Sequence, residues 1–278
     1  MTQIELKYNG KLELISFPSV WNELTERVLL YVGDYWESWR LLALAKESLL
    51  KAKALLVIEI VSEQLKISRA KVTELLKKIA PEPLAELCHL TDFIFEGNTL
   101  TICPIKFIIT AEGNLYPPDD ALGNITIGEF NFADGHFMKY LASNDITEVE
   151  NLIGVLYRTR ASGKLKRLDF EMSEVEKHFD SIKKLRYAQR QLILLWYIGC
   201  REAIVKGNED LFDREAEEES RGAGWTDLIR AMSKGIFGTF KETEQTDLFL
   251  VFMELRAIKA ENLRKKEEMD ELERLNKA

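Results

Sequence analysis

Thr126–Ala142 reads TIGEFNFADGHFMKYLA, and this stretch decides the fold class. Thr126 stands three residues before Glu129, the spacing of a capping box. Its hydroxyl can take the amide at the third helical position while Glu129 reaches back to the cap amide. The helix so opened carries Phe130, Phe137, Met138 and Leu141 to about Ala142. Downstream, Glu148–Arg158 sets Leu152, Val155 and Leu156 inward at helical spacing. Ser173 and Glu176 repeat the capping-box spacing and open a helical region that runs to about Lys206, broken near Leu185–Tyr187.

Upstream the pattern begins with a β-hairpin. Ile4, Leu6 and Tyr8 alternate with polar residues, Asn9-Gly10 supplies a two-residue turn, and Leu12-Glu13-Leu14 returns. Phe17-Pro18 ends it, and Ser19–Thr25 leads into a helix with Trp21, Leu24, Val28 and Leu29. From Trp36 to about Leu65 one helical period runs through Trp39, Leu42, Leu49, Leu56, Ile60 and Val61. Ser68 caps a helix through Lys78, closed by Pro81 and Pro83, and a short helix covers Pro83–Leu90. Phe93-Ile94-Phe95, Gly97-Asn98 and Leu100-Thr101-Ile102 predict a second hairpin, with Ile105–Ile109 as a further strand. The prediction is a mainly α protein: a bundle-like helical body with an N-terminal β-hairpin and a small central β element. The loop Asn114–Asp120 (NLYPPDD) is the expected boundary between residues 1–118 and residues 119–278.

The 278 residues carry a net charge of −8. Glu209–Ser220 (EDLFDREAEEES) holds seven acids and one base, so most of the acidity sits in this one segment, part of an expected acidic loop over residues 209–224. The nearly neutral remainder lacks the basic face that phosphate backbones require. At 46% apolar and 30% charged residues the composition is globular. Cys88, Cys103 and Cys200 are few and far apart, which fits reduced thiols in a cytoplasm. The start MTQIELKYNG shows no signal peptide, and Leu192–Cys200 (LILLWYIGC) reaches only about half of a bilayer span.

After the acidic segment, Trp225, Leu228, Ile229, Met232, Ile236 and Phe240 make one amphipathic stripe. Thr246 opens the last helix, apolar through Leu248, Phe249, Phe252, Leu255 and Ile258, then charged beyond Ala260 with Glu261/Lys265 and Glu273/Lys277 one turn apart. Trp21, Tyr31, Tyr35, Trp36 and Trp39 crowd a second aromatic window. Trp and Tyr are enriched where proteins dock. Trp225, Leu228, Ile229, Met232, Ile236 and Phe240, with Trp36 and Trp39, are therefore the expected partner-binding residues.

Signatures of catalysis are missing. The chain contains no GxSxG, no GxxxxGK[ST] and no GxGxxG, and no cofactor or small-molecule substrate is expected. Two constellations could carry metal chemistry: Glu171, Glu174 and His178 on one helix, or Glu129 with His136. Surface or structural roles are the simpler reading of both, so no metal ligand is expected. Cys88-His89 point apart on a helix. Ile67–Ala80 (ISRAKVTELLKKIA) admits a helix-turn-helix reading through Arg69, Lys71, Lys77 and Lys78, against which a plain solvated face is preferred. Arg158, Arg160, Lys164, Lys166 and Arg167 form a sharper basic patch, read as a plain loop in preference to a receptor for an acidic partner.

The layout IELKYNGKLELISFPSVWNELT (residues 4–25), LGNITIGEFNFADGHFMKYL (122–141), ENLIGVLYR (150–158), LILLWYIGCREAIV (192–205) and the Trp225-to-tail block resembles tailed-bacteriophage tail-assembly proteins, chaperone-like proteins of the structural gene cluster. The resemblance is one of layout. It implies a non-enzymatic role in tail morphogenesis, with a tape-measure or other tail protein as the partner, in the host cytoplasm.

Overall fold

A computed structural model describes residues 1–42, 46–160, 167–211, 225–233 and 236–277. The protein is mainly α. It opens on strands β1 (Thr2–Tyr8) and β2 (Lys11–Phe17), antiparallel with Tyr8 opposite Lys11. Asn9 and Gly10 both take positive φ, 48° and 81°, as a type I′ turn demands. The hairpin buries Leu6, Ile15 and Phe17 and is tied down by the Gln64 amide. That side chain accepts from Ser16 N at 2.8 Å and donates to Ser16 O at 2.6 Å, as a neighbouring strand would.

The period read from Trp36 to Leu65 as one helix belongs to two. These are α1 (Glu26–Leu42) and α2 (Lys46–Leu65), packed on each other. Then follow α3 (Arg69–Leu76), capped by Ser68 as expected, and α4 (Pro81–His89), which starts two residues before the expected Pro83. The hairpin expected at Phe93–Ile102 does not form. Phe93–Glu96 is a short helix, α5, and the second two-stranded sheet lies further on, β3 (Ile108–Thr110) with β4 (Gly113–Leu115). Two asparagines explain the difference. Asn98 Oδ1 accepts from Leu100 N at 3.0 Å, and Asn22 Oδ1 accepts from Thr101 N and Ile102 N at 2.9 and 3.1 Å. The backbone donors that a strand partner would have taken are satisfied by side chains.

α6 (Ile127–Ser143) carries the complete capping box of Thr126 and Glu129. α7 (Ile146–Leu156) follows, capped by Asp145. α8 (Met172–Lys183) begins one residue before Ser173, with Glu171 at its cap position and no side-chain cap bond, so the second predicted capping box is absent. α9 (Tyr187–Gly207) is the axis of the molecule: Leu192 to Tyr197 are all buried, as expected of a helix surrounded by protein. It packs on α1 and α7, and Asn98 donates to Leu195 O at 2.6 Å.

α10 (Trp225–Met232), α11 (Phe240–Glu244) and α12 (Leu248–Lys277) complete the chain. Ile127 N donates to Thr246 O at 2.9 Å and Leu248 N to Ile125 O at 3.0 Å, joining the starts of α6 and α12. A single apolar core runs from Leu6 to Phe252. The core includes residues from both sides of Asn114–Asp120, and across that loop Tyr116 and Arg158 exchange both backbone hydrogen bonds, at 2.8 and 3.0 Å. Of the acidic segment, Glu209–Leu211 forms a 3-10 turn, and residues 212–224 lie outside the described residues. No described helix is long and apolar enough to cross a membrane.

Close approach around α9 has a testable consequence. A Cβ on Gly199 would meet Leu100 N at 2.8 Å and lie still nearer Leu100 O, whereas one on Gly207 meets nothing within 4 Å. Gly199→Ala is expected to lower stability by about 1–3 kcal/mol through overpacking. Gly207→Ala should raise it by up to about 1 kcal/mol through helix propensity. Urea unfolding of the two variants checks both signs.

Candidate functional site

The expected partner-binding residues occupy two places. On α10, Ile229 and Met232 are buried, Trp225 and Leu228 half-buried. The Trp225 ring meets Phe130 edge-on at 4.9 Å, and its Nε1 donates to Asp134 Oδ2 at 3.0 Å. Asp134 also pairs with Arg201 and accepts from the Tyr197 hydroxyl at 3.2 Å, so α6, α9 and α10 converge on one carboxylate. The apolar stripe that the sequence offers to a partner is thus largely covered by the chain itself, with Ile236 and Phe240 left exposed. Trp39 is likewise buried, stacked on Tyr35 at 5.9 Å and near Phe95 at 5.8 Å. Trp36 is half-buried, edge-on to Trp21 at 5.6 Å.

The larger free surface is α12. Leu248, Val251 and Phe252 are buried at its root, and Arg256 clamps it to the end of α9. The Arg256 guanidinium donates to Gly207 O at 3.0 Å, to Asn208 Oδ1 at 2.9 Å and to Asp210. From Ala260 through Asn276 every residue is exposed, with Leu263 at 54%, Met269 at 63%, Leu272 at 60% and Leu275 at 68%. Lys265 pairs with Glu261 at 2.6 Å and Arg264 with Glu268 at 3.7 Å. Such pairs contribute a few tenths of a kcal/mol each.

The residues considered for metal or nucleic acid are drawn into other contacts. His136 Nδ1 lies 2.6 Å from Glu148, away from Glu129, and Glu171 pairs with Lys241 at 3.4 Å. His178 is buried, and the side chain of Glu174 lies outside the described residues. Among the described residues no group of three or more His, Cys, Asp or Glu could hold a metal ion. Arg69 of the helix-turn-helix reading is spent on buried Glu59 and on the Tyr31 ring, 4.5 Å away. Of the basic patch, residues 161–166 lie outside the described residues, Arg160 covers the Tyr116 ring at 3.9 Å, and Arg158 and Arg167 are buried. The three thiols are buried as well. Burial pushes Cys103 up to about 11 and Cys200 higher still, the reverse of what a nucleophilic thiolate needs.

Those two arginines form a site that the sequence reading missed. Glu129, besides closing its capping box, accepts from Arg158 and lies 3.1 Å from Arg167. All three side chains are at least nine-tenths buried, so two guanidiniums share one buried carboxylate, with Asp119 a further negative charge acting on Arg167. Arg167 also donates to Leu156 O at 2.8 Å. Burial, with Arg158 adding to it and Glu129 opposing, holds Arg167 down at about 10. Above the trio opens a pocket of about 560 Å³, walled by Phe132 and Phe170, with Lys241, Glu244 and Asp247 from the segment that leads into α12. Only long-range pairing could reveal the trio, because Glu129 reads locally as a cap and the arginines as a surface patch.

No family model, no curated protein and no solved structure matches this chain.

The shared carboxylate can be tested apart from its capping role. Glu129→Gln still satisfies a capping box but leaves two buried guanidiniums without a counter-charge. The expected loss is about 3–5 kcal/mol. Removing only the cap hydroxyl, in Thr126→Ala, should cost about 1 kcal/mol. A loss in Glu129→Gln no larger than that in Thr126→Ala, read by chemical denaturation, would contradict the counter-charge role of Glu129.

Proposed function

We propose that the chain is a non-enzymatic interaction protein that engages a helical segment of a protein partner through the outer half of α12. The observation that carries this reading is the departure of α12 from the body after the Arg256 clamp. The exposed part spans roughly 25 Å at the rise of an α-helix. A helix of this length is marginal by itself in water, and most helical stability in proteins comes from packing one face on something else. Leu255, Ile258, Asn262, Lys265, Met269, Leu272 and Asn276 recur at alternating spacings of three and four, the seam of a two-helix contact. Its first two members are half-buried on the body, so the seam runs outward from the protein's own core.

In its finer form the proposal names the partner as a phage tail protein, the tape-measure protein first. Support for that step is the layout resemblance together with the fit between a projecting helix and an elongated coiled-coil partner. Ile236 and Phe240, exposed beside the covered part of the α10 stripe, extend the apolar surface near the root of α12.

Truncation after Ala260 separates body from helix. The truncated chain should keep its melting temperature to within a degree or so, since the removed residues bury nothing. In pull-downs from prophage-induced lysate the full chain should recover the tape-measure or another virion protein, and the truncated chain should not. Recovery of neither by the full chain, or equal recovery by both, contradicts the proposal.

A further inference from the structure

The pocket over the arginines has an unbalanced floor. Arg158 Nε, Arg158 Nη1 and Arg167 Nε are buried and have no hydrogen-bond partner among the described residues. Glu129 is the acid that both guanidiniums share, and one of its oxygens already accepts from Thr126 N at 2.9 Å. A buried positive charge with unmade hydrogen bonds is costly, and a monovalent anion that accepts from these N–H groups removes both costs together. Planar carboxylates match guanidinium donors well.

The rim has the opposite character. Among the described residues Glu171, Glu244 and Asp247 line it with Lys241, beside Asp169, which is engaged in a contact of its own. Glu171 and Lys241 are mutually paired at 3.4 Å, and Asp247 accepts from Phe249 N at 2.9 Å at the start of α12. Glu244 is half-buried, and burial holds its carboxyl above the usual range, with Lys241 opposing. A dianion such as phosphate would have to pass this acidic ring. A ligand that carries an ammonium group behind its carboxylate is instead attracted at both ends.

From this juxtaposition we infer that the pocket between α6, residues 167–171 and the root of α12 binds a small zwitterionic ligand. Its carboxylate sits on Arg158 and Arg167 and its ammonium group on the Glu244 side of the rim. A free amino acid and the carboxy-terminal end of a basic peptide share this chemistry. The floor N–H groups are out of contact with solvent, so entry of the ligand requires side-chain movement over them. This inference is independent of the partner-binding role of α12 and sets a site where no small-molecule ligand was expected.

Calorimetric titration of the full chain with a matched series tests it. The probes are 6-aminohexanoate, hexanoate, hexylamine and inorganic phosphate. 6-Aminohexanoate should bind about fivefold more tightly than hexanoate, the factor a partly exposed ion pair supplies, with hexylamine and phosphate silent. Arg158→Met should abolish binding. Should that variant fail to fold, Glu244→Lys leaves the floor intact and should reverse the order of the two carboxylates. A glycylglycyl-lysine peptide that binds while its carboxy-terminal amide does not supports use of the site by a chain end. Silence of every probe, phosphate binding above the carboxylates, an unchanged order in Glu244→Lys, or equal binding of the peptide amide overturns the inference.

Discussion

The burial of the middle of α9 on every side is the constraint on which the structure depends. Leu192 to Tyr197 bury six consecutive side chains, so the helix must be wrapped, and α1, α7 and the loop after Asn98 do the wrapping. Two of these, α1 and the loop after Asn98, come close enough to require a glycine. A Cβ on Gly33 of α1 would meet Ala188 O at 2.6 Å, and Gly199 faces the backbone of Leu100. Close packing of this kind transmits strain and tolerates little change in volume. Functional variation is thereby pushed to the parts that α9 does not clamp: the outer half of α12 and the pocket at its root.

The polar interior follows from the same geometry. Where α6 crosses α9, Asp134 takes up Arg201, the Tyr197 hydroxyl and the Trp225 indole, and it draws α10 onto the body. Where α6 begins, Glu129 takes up two arginines from the far side of α7. The first cluster pairs one cation with one acid and closes a seam. The second shares one buried acid between two arginines beneath a cavity, and this arrangement carries the ligand proposal.

Local chemistry was legible in the sequence and long-range chemistry was not. The Asn9-Gly10 turn, the Thr126–Glu129 box and the Ser68 cap are each set by residues within four positions, and the structure contains all three. The β-like run Phe93–Ile102 misled because Asn22, in the lead-in to a helix, and Asn98, read as a hairpin turn, take over its backbone donors. Ser173–Glu176 has the spacing of a capping box, yet the helix starts before it. The α10 stripe was legible as apolar, but whether it faces a partner or Phe130 depends on contacts about a hundred residues apart in the chain. The same holds for Glu129, whose buried partners lie in segments that read as solvated.

The central claim is a rigid body organised on α9, from which half of α12 projects uncovered. Native-state amide hydrogen exchange on the isolated chain tests it most directly, because protection reports local opening residue by residue. The account predicts that amides of residues 193–200 exchange only through global unfolding, while those of residues 262–277 exchange close to the unprotected rate. Protection across residues 262–277 matching that of α9 would show that this helix is already covered, and would contradict the account.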